Sequence, residues 1–145
     1  MACEFEVIRR VEFSDTDMAG IMHFSNFFRF METAEHAFFR SLGFSVMMDQ
    51  LQPPIGWPRV HAECDYKKPL RFEDEVEVRL AVKEKRSKTI SYQFRFRKVG
   101  DVAEAARGLL TVVCVTWDKK GQISACGIPE FIAKKIEVAP PELLD

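Results

Sequence analysis

The sequence predicts an α+β fold in which an antiparallel sheet of five or six strands bends around one long central helix. Three observations lead there. Apolar residues alternate singly near the N-terminus, switch once to helical spacing over residues 26–42, and then return to single alternation. The helical stretch carries an apolar arc wider than one flat sheet would cover. The later strands are separated by short turns, the connection that antiparallel neighbours use.

Phe5, Val7, Val11 and Phe13 alternate with Glu4, Glu6, Arg10 and Glu12, broken at Ile8 and Arg9, which reads as a half-buried strand. After the turn-like stretch Ser14 to Gly20, Phe27, Met31, Ala34, Phe38 and Leu42 share one helical face. Ser25 or Asn26 is placed to cap that helix, and Gly43 sits where a left-handed stop is expected. Phe28, Phe30 and Phe39 lie off the main stripe and widen it. Pro53, Pro54, Gly56 and Pro58 mark a loop. Val60, Ala62, Cys64 and Tyr66 then alternate with His61, Glu63 and Asp65 as a second strand. Val76 to Val82 and Ile90 to Phe96 form the two arms of a hairpin across the turn Lys85 to Lys88. Leu109 to Trp117 is almost continuously apolar and suits a central strand covered on both faces. Asp118 to Gly121 is a tight turn, and a short helix is expected from Pro129 to Lys135.

At 145 residues the chain is the size of one domain, 1–145, and thirteen phenylalanines make its interior or an interface strongly aromatic. Cys3, Cys64, Cys114 and Cys126 are far apart in sequence and show no metal-ligand spacing, so neither a disulfide framework nor a metal site is expected. Free thiols fit a cytoplasmic protein. The charged N-terminus is unlike a signal peptide, and no apolar run approaches a membrane span. A formal net charge of −1 excludes the unbalanced basic footprint of a nucleic-acid binder.

Chemistry concentrates in Asp15-Thr16-Asp17-Met18-Ala19-Gly20-Ile21-Met22-His23-Phe24-Ser25-Asn26-Phe27, where two acids, a glycine and a histidine precede a helix start. Free N–H groups at a helix N-terminus can stabilise an oxyanion, and a carboxylate can attack a carbonyl or activate water. Taken alone, Asp15 and Asp17 read more readily as turn or capping residues than as catalysts.

This segment resembles the signature of the 4-hydroxybenzoyl-CoA thioesterase family of hotdog-fold enzymes: a strand, D-x-D-x-x-G, a few apolar residues, then an aromatic-x-N-aromatic helix start. The likeness extends more loosely through the helix, the paired strands and Ile128-Pro129-Glu130. It implies a sheet wrapped around the Asn26 to Leu42 helix, assembled as a homodimer or homotetramer with active sites between subunits. The implied activity is hydrolysis of an acyl-CoA, or of the same thioester on an acyl carrier protein, with coenzyme A as part of the substrate and no other cofactor. The family's catalytic carboxylate falls on Asp17 and its oxyanion donor on the Phe24 N–H. His23 joins them as a site residue, and a histidine there favours a short or general acyl group over an aromatic one. Gly20 and Asn26 fall at substrate-contacting positions. Arg86 and Lys88, in the hairpin turn, fall where the family meets the coenzyme A phosphates, with Lys67, Lys68 and Arg71 as a further basic cluster. Asp15 is read as structural. Glu32 and Glu35 compete as catalytic groups but read better as a solvated or interface face. The alternatives are a hotdog hydratase or dehydratase, kept open by His23, and a binding protein without turnover.

Overall fold

The computed structural model describes residues 1–144. Strand β1 (Glu4–Arg10) leads through a 3-10 turn to helix α1 (Asn26–Ser41), followed by β2 (Arg59–Tyr66), β3 (Glu75–Lys85), β4 (Thr89–Lys98) and β5 (Ala106–Val113). A small hairpin of β6 (Val115–Trp117) and β7 (Ile123–Ala125), a one-turn helix α2 (Glu130–Ala133) and a 3-10 turn (Pro141–Leu143) follow. The five long strands form one antiparallel sheet in the order β1-β3-β4-β5-β2, so the strand after the helix crosses to the far edge. This is the wrapped sheet that the helix's wide arc calls for.

The inward side of the alternation read for the hairpin is realised in full, whereas Ser91 and Gln93, read as outward, are buried as well. Val76, Val78, Leu80 and Val82 of β3 and Ile90, Tyr92, Phe94 and Phe96 of β4 are all fully buried. They face Phe27, Phe30, Met31, Ala34, Phe38 and Phe39 of α1, also buried, so the off-stripe phenylalanines 30 and 39 belong to the core. Edge-on ring contacts tie helix to sheet, Phe27 to Phe96 at 5.2 Å and Phe38 to Tyr92 at 6.3 Å. The helix ends as expected at Gly43, whose φ of +90° suits a residue without Cβ.

Four expectations are corrected. The first strand stops at Arg10, because Val11 exchanges backbone hydrogen bonds with Glu73 and Asp74, and Phe13 lands in the 3-10 turn, 78% exposed. Ser25 takes the N-cap position without a side-chain cap, its hydroxyl being engaged by His23 instead. β2 pairs only with β5, leaves its other edge open, and exposes Val60, Ala62 and Tyr66. The apolar run 109–117 is two strands, and β5 is covered on one face only: Ala106, Gly108, Leu110 and Val112 are buried while Arg107, Leu109, Thr111 and Val113 are partly exposed. The lone long helix covers one side of the sheet. The other carries ion pairs, including Arg79 with Glu6 at 3.1 Å and Arg97 with Glu77 at 2.5 Å.

Gly108 of β5 leaves room for Met31 of α1. A Cβ built there would lie 2.1 Å from Met31 Cε and 2.6 Å from its Sδ. Gly108→Ala is therefore expected to destabilise the fold by about 1–3 kcal/mol through overpacking. Adding Met31→Ala should recover part of that loss, giving a favourable coupling in a double-mutant cycle measured by urea unfolding.

Candidate active site

Asp15 ties together the segment between β1 and α1, which is also anchored to the 70–74 loop by the Met22 N–H donating to Leu70 O at 2.7 Å. The Asp15 carboxylate accepts the Glu12 N–H at 2.9 Å, and the Asp15 carbonyl accepts the His23 N–H at 2.9 Å and the Asn26 side-chain amide at 2.8 Å. Asp15 is thus structural, as read. Asn26, expected to touch substrate, is buried with its amide donating to this clasp, which makes it a positioning group at the first turn of α1.

The intervening loop closes on itself. The Asp17 N–H donates to Ile21 O at 3.0 Å and the Gly20 N–H to Asp17 O at 2.9 Å. Gly20 turns the chain at φ +79°, exposed to solvent, and shapes the loop that presents Asp17. One carboxylate oxygen of Asp17 accepts the Ala19 N–H at 2.9 Å. Its second oxygen meets no donor among the described residues. Phe24 lies just before the helix, and its backbone N–H likewise has no acceptor among the described residues, whereas its neighbours are bound: His23 N–H by Asp15 O, Ser25 N–H by His23 Nδ1 at 3.2 Å, Asn26 N–H by His23 O. An unpaired donor at the start of a sixteen-residue helix sits at the positive end of its dipole.

Asp17, Ile21, Met22, Phe24, Phe27, Tyr66, Lys67, Lys68 and Pro69 line one cavity of roughly 480 Å³. The structure therefore brings Asp17 and Phe24 together. His23 is not among the lining residues. Its ring stacks on Phe24 at 4.5 Å, and its Nδ1 faces the Ser25 hydroxyl at 2.7 Å. Because Nδ1 accepts the Ser25 N–H, the neutral ring carries its proton on Nε2.

Four lining residues, Tyr66 to Pro69, come from the end of β2 and the loop beyond it. Lys67 and Lys68 belonged to the basic cluster visible in the sequence, and each is ion-paired: Lys67 with Glu104, and Lys68 with Asp101 at 3.6 Å. Arg71, the third of that cluster, is not part of the lining. Tyr66 carried no signal beyond its place in a strand. Its hydroxyl donates to Phe24 O at 3.1 Å and its ring meets Phe27 edge-on at 5.0 Å. Burial, with Cys64 beside it, pushes the phenol up to about 12, so it remains a donor at neutral pH.

Arg86 and Lys88 lie elsewhere. Arg86 is exposed and pairs with Glu84 at 3.1 Å. Tyr66, Ala106 and Phe96 share one row of the sheet at the cavity, while the 85–89 turn is at the other end. Between Phe96 and Lys88 lie roughly 27 Å of strand. Within one chain these cations do not reach Asp17.

Glu32 is solvated, as read, but Glu35 is fully buried. It reaches across to Arg59 of β2 at 2.5 Å, beneath the buried Tyr92 hydroxyl, and is outside the Asp17 cavity. Burial raises its carboxyl and Arg59 opposes that rise. Glu35→Ala should cost about 1–3 kcal/mol in urea unfolding by leaving Arg59 with only Glu32 and the Trp57 carbonyl as partners among the described residues, whereas loss of activity at unchanged stability would mark Glu35 as chemical.

The bent sheet around one long helix is the hotdog fold of solved structures that superpose on it with TM-scores of 0.82 and 0.81, and the family match makes the class a hotdog-fold thioesterase. The chain belongs to the Thioesterase-like superfamily, which it matches over residues 11–138. A protein of Aquifex aeolicus (strain VF5), named as a candidate esterase, is 41% identical over 88 residues, 59% of this chain and 66% of that protein, so the match spans just under two thirds of that relative. A 1,4-dihydroxy-2-naphthoyl-CoA hydrolase of Prochlorococcus marinus (strain MIT 9313) is 24% identical over 138 residues, 90% of this chain and 88% of that protein. The solved structure of a gentisyl-coenzyme A thioesterase superposes with a TM-score of 0.77 at 32% identity, over 89% of this chain and 99% of that one. No described helix is long and apolar enough to cross a membrane.

Proposed function

We propose that this protein hydrolyses an aroyl-CoA thioester to the free acid and coenzyme A. The observation that carries the reading is that Asp17, with one carboxylate oxygen free of donors among the described residues, and Phe24, with its N–H unpaired among them, line the same cavity. The thioester carbonyl accepts from Phe24 N–H, and Asp17 attacks its carbon or takes a proton from the attacking water. Tyr66, bonded to the carbonyl of Phe24, fixes the Phe24–Ser25 peptide that follows the donor. Ile21, Met22, Phe24, Phe27 and Pro69 give the acyl group an apolar, aromatic enclosure. That lining, and the relatives that act on gentisyl-CoA and 1,4-dihydroxy-2-naphthoyl-CoA, outweigh the tilt toward aliphatic chains drawn from His23, which faces Ser25. The substrate's coenzyme A is the one cofactor the reading needs. Partly exposed free thiols at Cys64 and Cys126 suit a cytoplasmic enzyme.

Thiol release from a panel of aroyl- and acyl-CoAs tests this directly. Asp17→Asn should lower kcat at least about a hundredfold on the preferred aroyl-CoA, with the fold retained. Near-normal turnover in the variant overturns the assignment of Asp17. Silence of the wild type across the panel shifts the reading to a carrier-protein thioester or to binding without turnover.

The separation of the Asp17 cavity from the 85–89 turn supports a homo-oligomer in which Arg86 and Lys88 of one subunit meet the coenzyme A phosphates at the cavity of another. Asp17→Asn should then be rescued by mixing, after co-refolding, with the Arg86→Ala/Lys88→Ala variant. Random pairing in a two-fold dimer gives about one quarter of wild-type activity at low substrate, since half the dimers regain one intact site. No recovery above the mean of the two parents removes the shared site.

A further inference from the structure

Cys114 and Cys126, twelve residues apart in the chain, are neighbours across the base of the β6–β7 hairpin. Val115 pairs with Ala125, and one position further out the Cys126 N–H donates to Cys114 O at 2.9 Å. This ladder carries the two sulfurs to 3.6 Å from each other. Cys114 is buried and its Sγ also faces Gly127 O at 3.8 Å, while Cys126 is partly exposed. Cys3 and Cys64 have no thiol partner among the described residues. The pair also backs the turn that carries Arg86 and Lys88. The Cys114 N–H donates to Lys88 O at 2.7 Å, and the Ile128 N–H donates to Ser87 O at 2.8 Å.

We infer that Cys114 and Cys126 form a dithiol site that a hydroperoxide converts to an intramolecular disulfide, pinning the strand ends behind the 85–89 turn. Cys126, the accessible member, is attacked first: its thiol takes one oxygen from the peroxide and becomes a sulfenic acid, and the peroxide leaves as water or an alcohol. Cys114 then attacks the sulfenic sulfur and expels water, so the two thiols lose two electrons and two protons and the peroxide is reduced by two electrons. Closing the bond needs the sulfurs to move from 3.6 Å to about 2.05 Å, which side-chain rotation over a backbone already paired accomplishes. Burial, with the neighbouring thiol, pushes Cys114 up to about 12. It stays protonated and waits in contact with Cys126, the arrangement of a resolving rather than an attacked thiol. Reduction by a dithiol reverses the step, as for the transient disulfides of a reducing compartment.

The test is treatment of the reduced full-length protein with a small excess of hydrogen peroxide, followed by denaturing thiol titration and peptide mass mapping. Two of the four thiols should vanish, with loss of two hydrogens in a linked peptide pair joining Cys114 to Cys126, restored by dithiothreitol. Cys114→Ala should instead leave Cys126 as a sulfenic acid trapped by dimedone, and Cys126→Ala should leave Cys114 unmodified at the same dose. The mapping uses wild-type protein, so it decides even if a variant fails to fold. Retention of four titratable thiols, or a link through Cys3 or Cys64, overturns the proposal. None of these readouts depends on thioesterase turnover.

Discussion

The structure rests on the burial of one helix whose apolar arc is broader than a single stripe. Phe27, Phe30, Met31, Ala34, Phe38 and Phe39 are all buried, and no flat surface contacts them together. Each large side chain so buried contributes about 1.5–3 kcal/mol, which makes bending the sheet around α1 the favourable solution. Gly108 lets Met31 lie where a side chain of β5 would otherwise stand. With both sides filled, the helix cannot slide. Its first turn is held at the Phe96 and Tyr66 end of the sheet, its last half at Tyr92 and Trp57. The position of the site follows from this packing.

A rigid helix start is of use only if one donor there is left unpaired. Within the 12–26 segment Asp15 serves Glu12 with its carboxylate and both the His23 N–H and the Asn26 side-chain amide with its carbonyl, while Met22 N–H is met by Leu70 O. Ser25 N–H is met by the imidazole. Phe24 N–H is passed over, 61% of Phe24 being exposed at the cavity. For the proposed hydrolysis, a donor held in place before substrate arrives would cost no reorganisation when charge develops on the carbonyl oxygen. The network therefore works by exclusion: each neighbouring group is committed, which keeps the remaining one available.

What could be read from the sequence tracks how one-sided each element's environment is. β3 and β4 lie under the helix on one face and carry ion pairs on the other, so apolar and polar residues alternate legibly along them, although Ser91 and Gln93 on the second face are buried too. β2 has a single strand neighbour, and its alternating residues have little to be buried against. In β5 the outward positions Leu109 and Val113 are apolar, which hides the alternation that burial reveals. Asp17, Gly20 and Phe24 were legible because a local motif carries them. Tyr66 was not, because a strand pairing brings it beside Phe24 across forty-two positions of chain. Glu35 reads from sequence as one more acid on a helix, and only the arrival of Arg59 from β2 accounts for its burial. The thiol pair was hidden for the same reason, since hairpin register rather than sequence spacing joins it.

The chain also divides the proposed chemistry between its two ends. The carboxylate and donor sit at the Phe96 end, and the cations of the 85–89 turn sit at the other, with α1 filling the concave face between them. No side-chain rearrangement spans that interval, because the turn is tied down by Cys114 and Ile128. A second copy related by a two-fold axis and running antiparallel solves the geometry, for it places one chain's turn at the other's helix start and does so twice. The open edge of β2 ends at Tyr66, beside the cavity, and leaves a row of unpaired backbone groups of the kind proteins cover. Pairing there would bury the edge and complete both cavities in one step, so in this reading assembly and activity have the same cause.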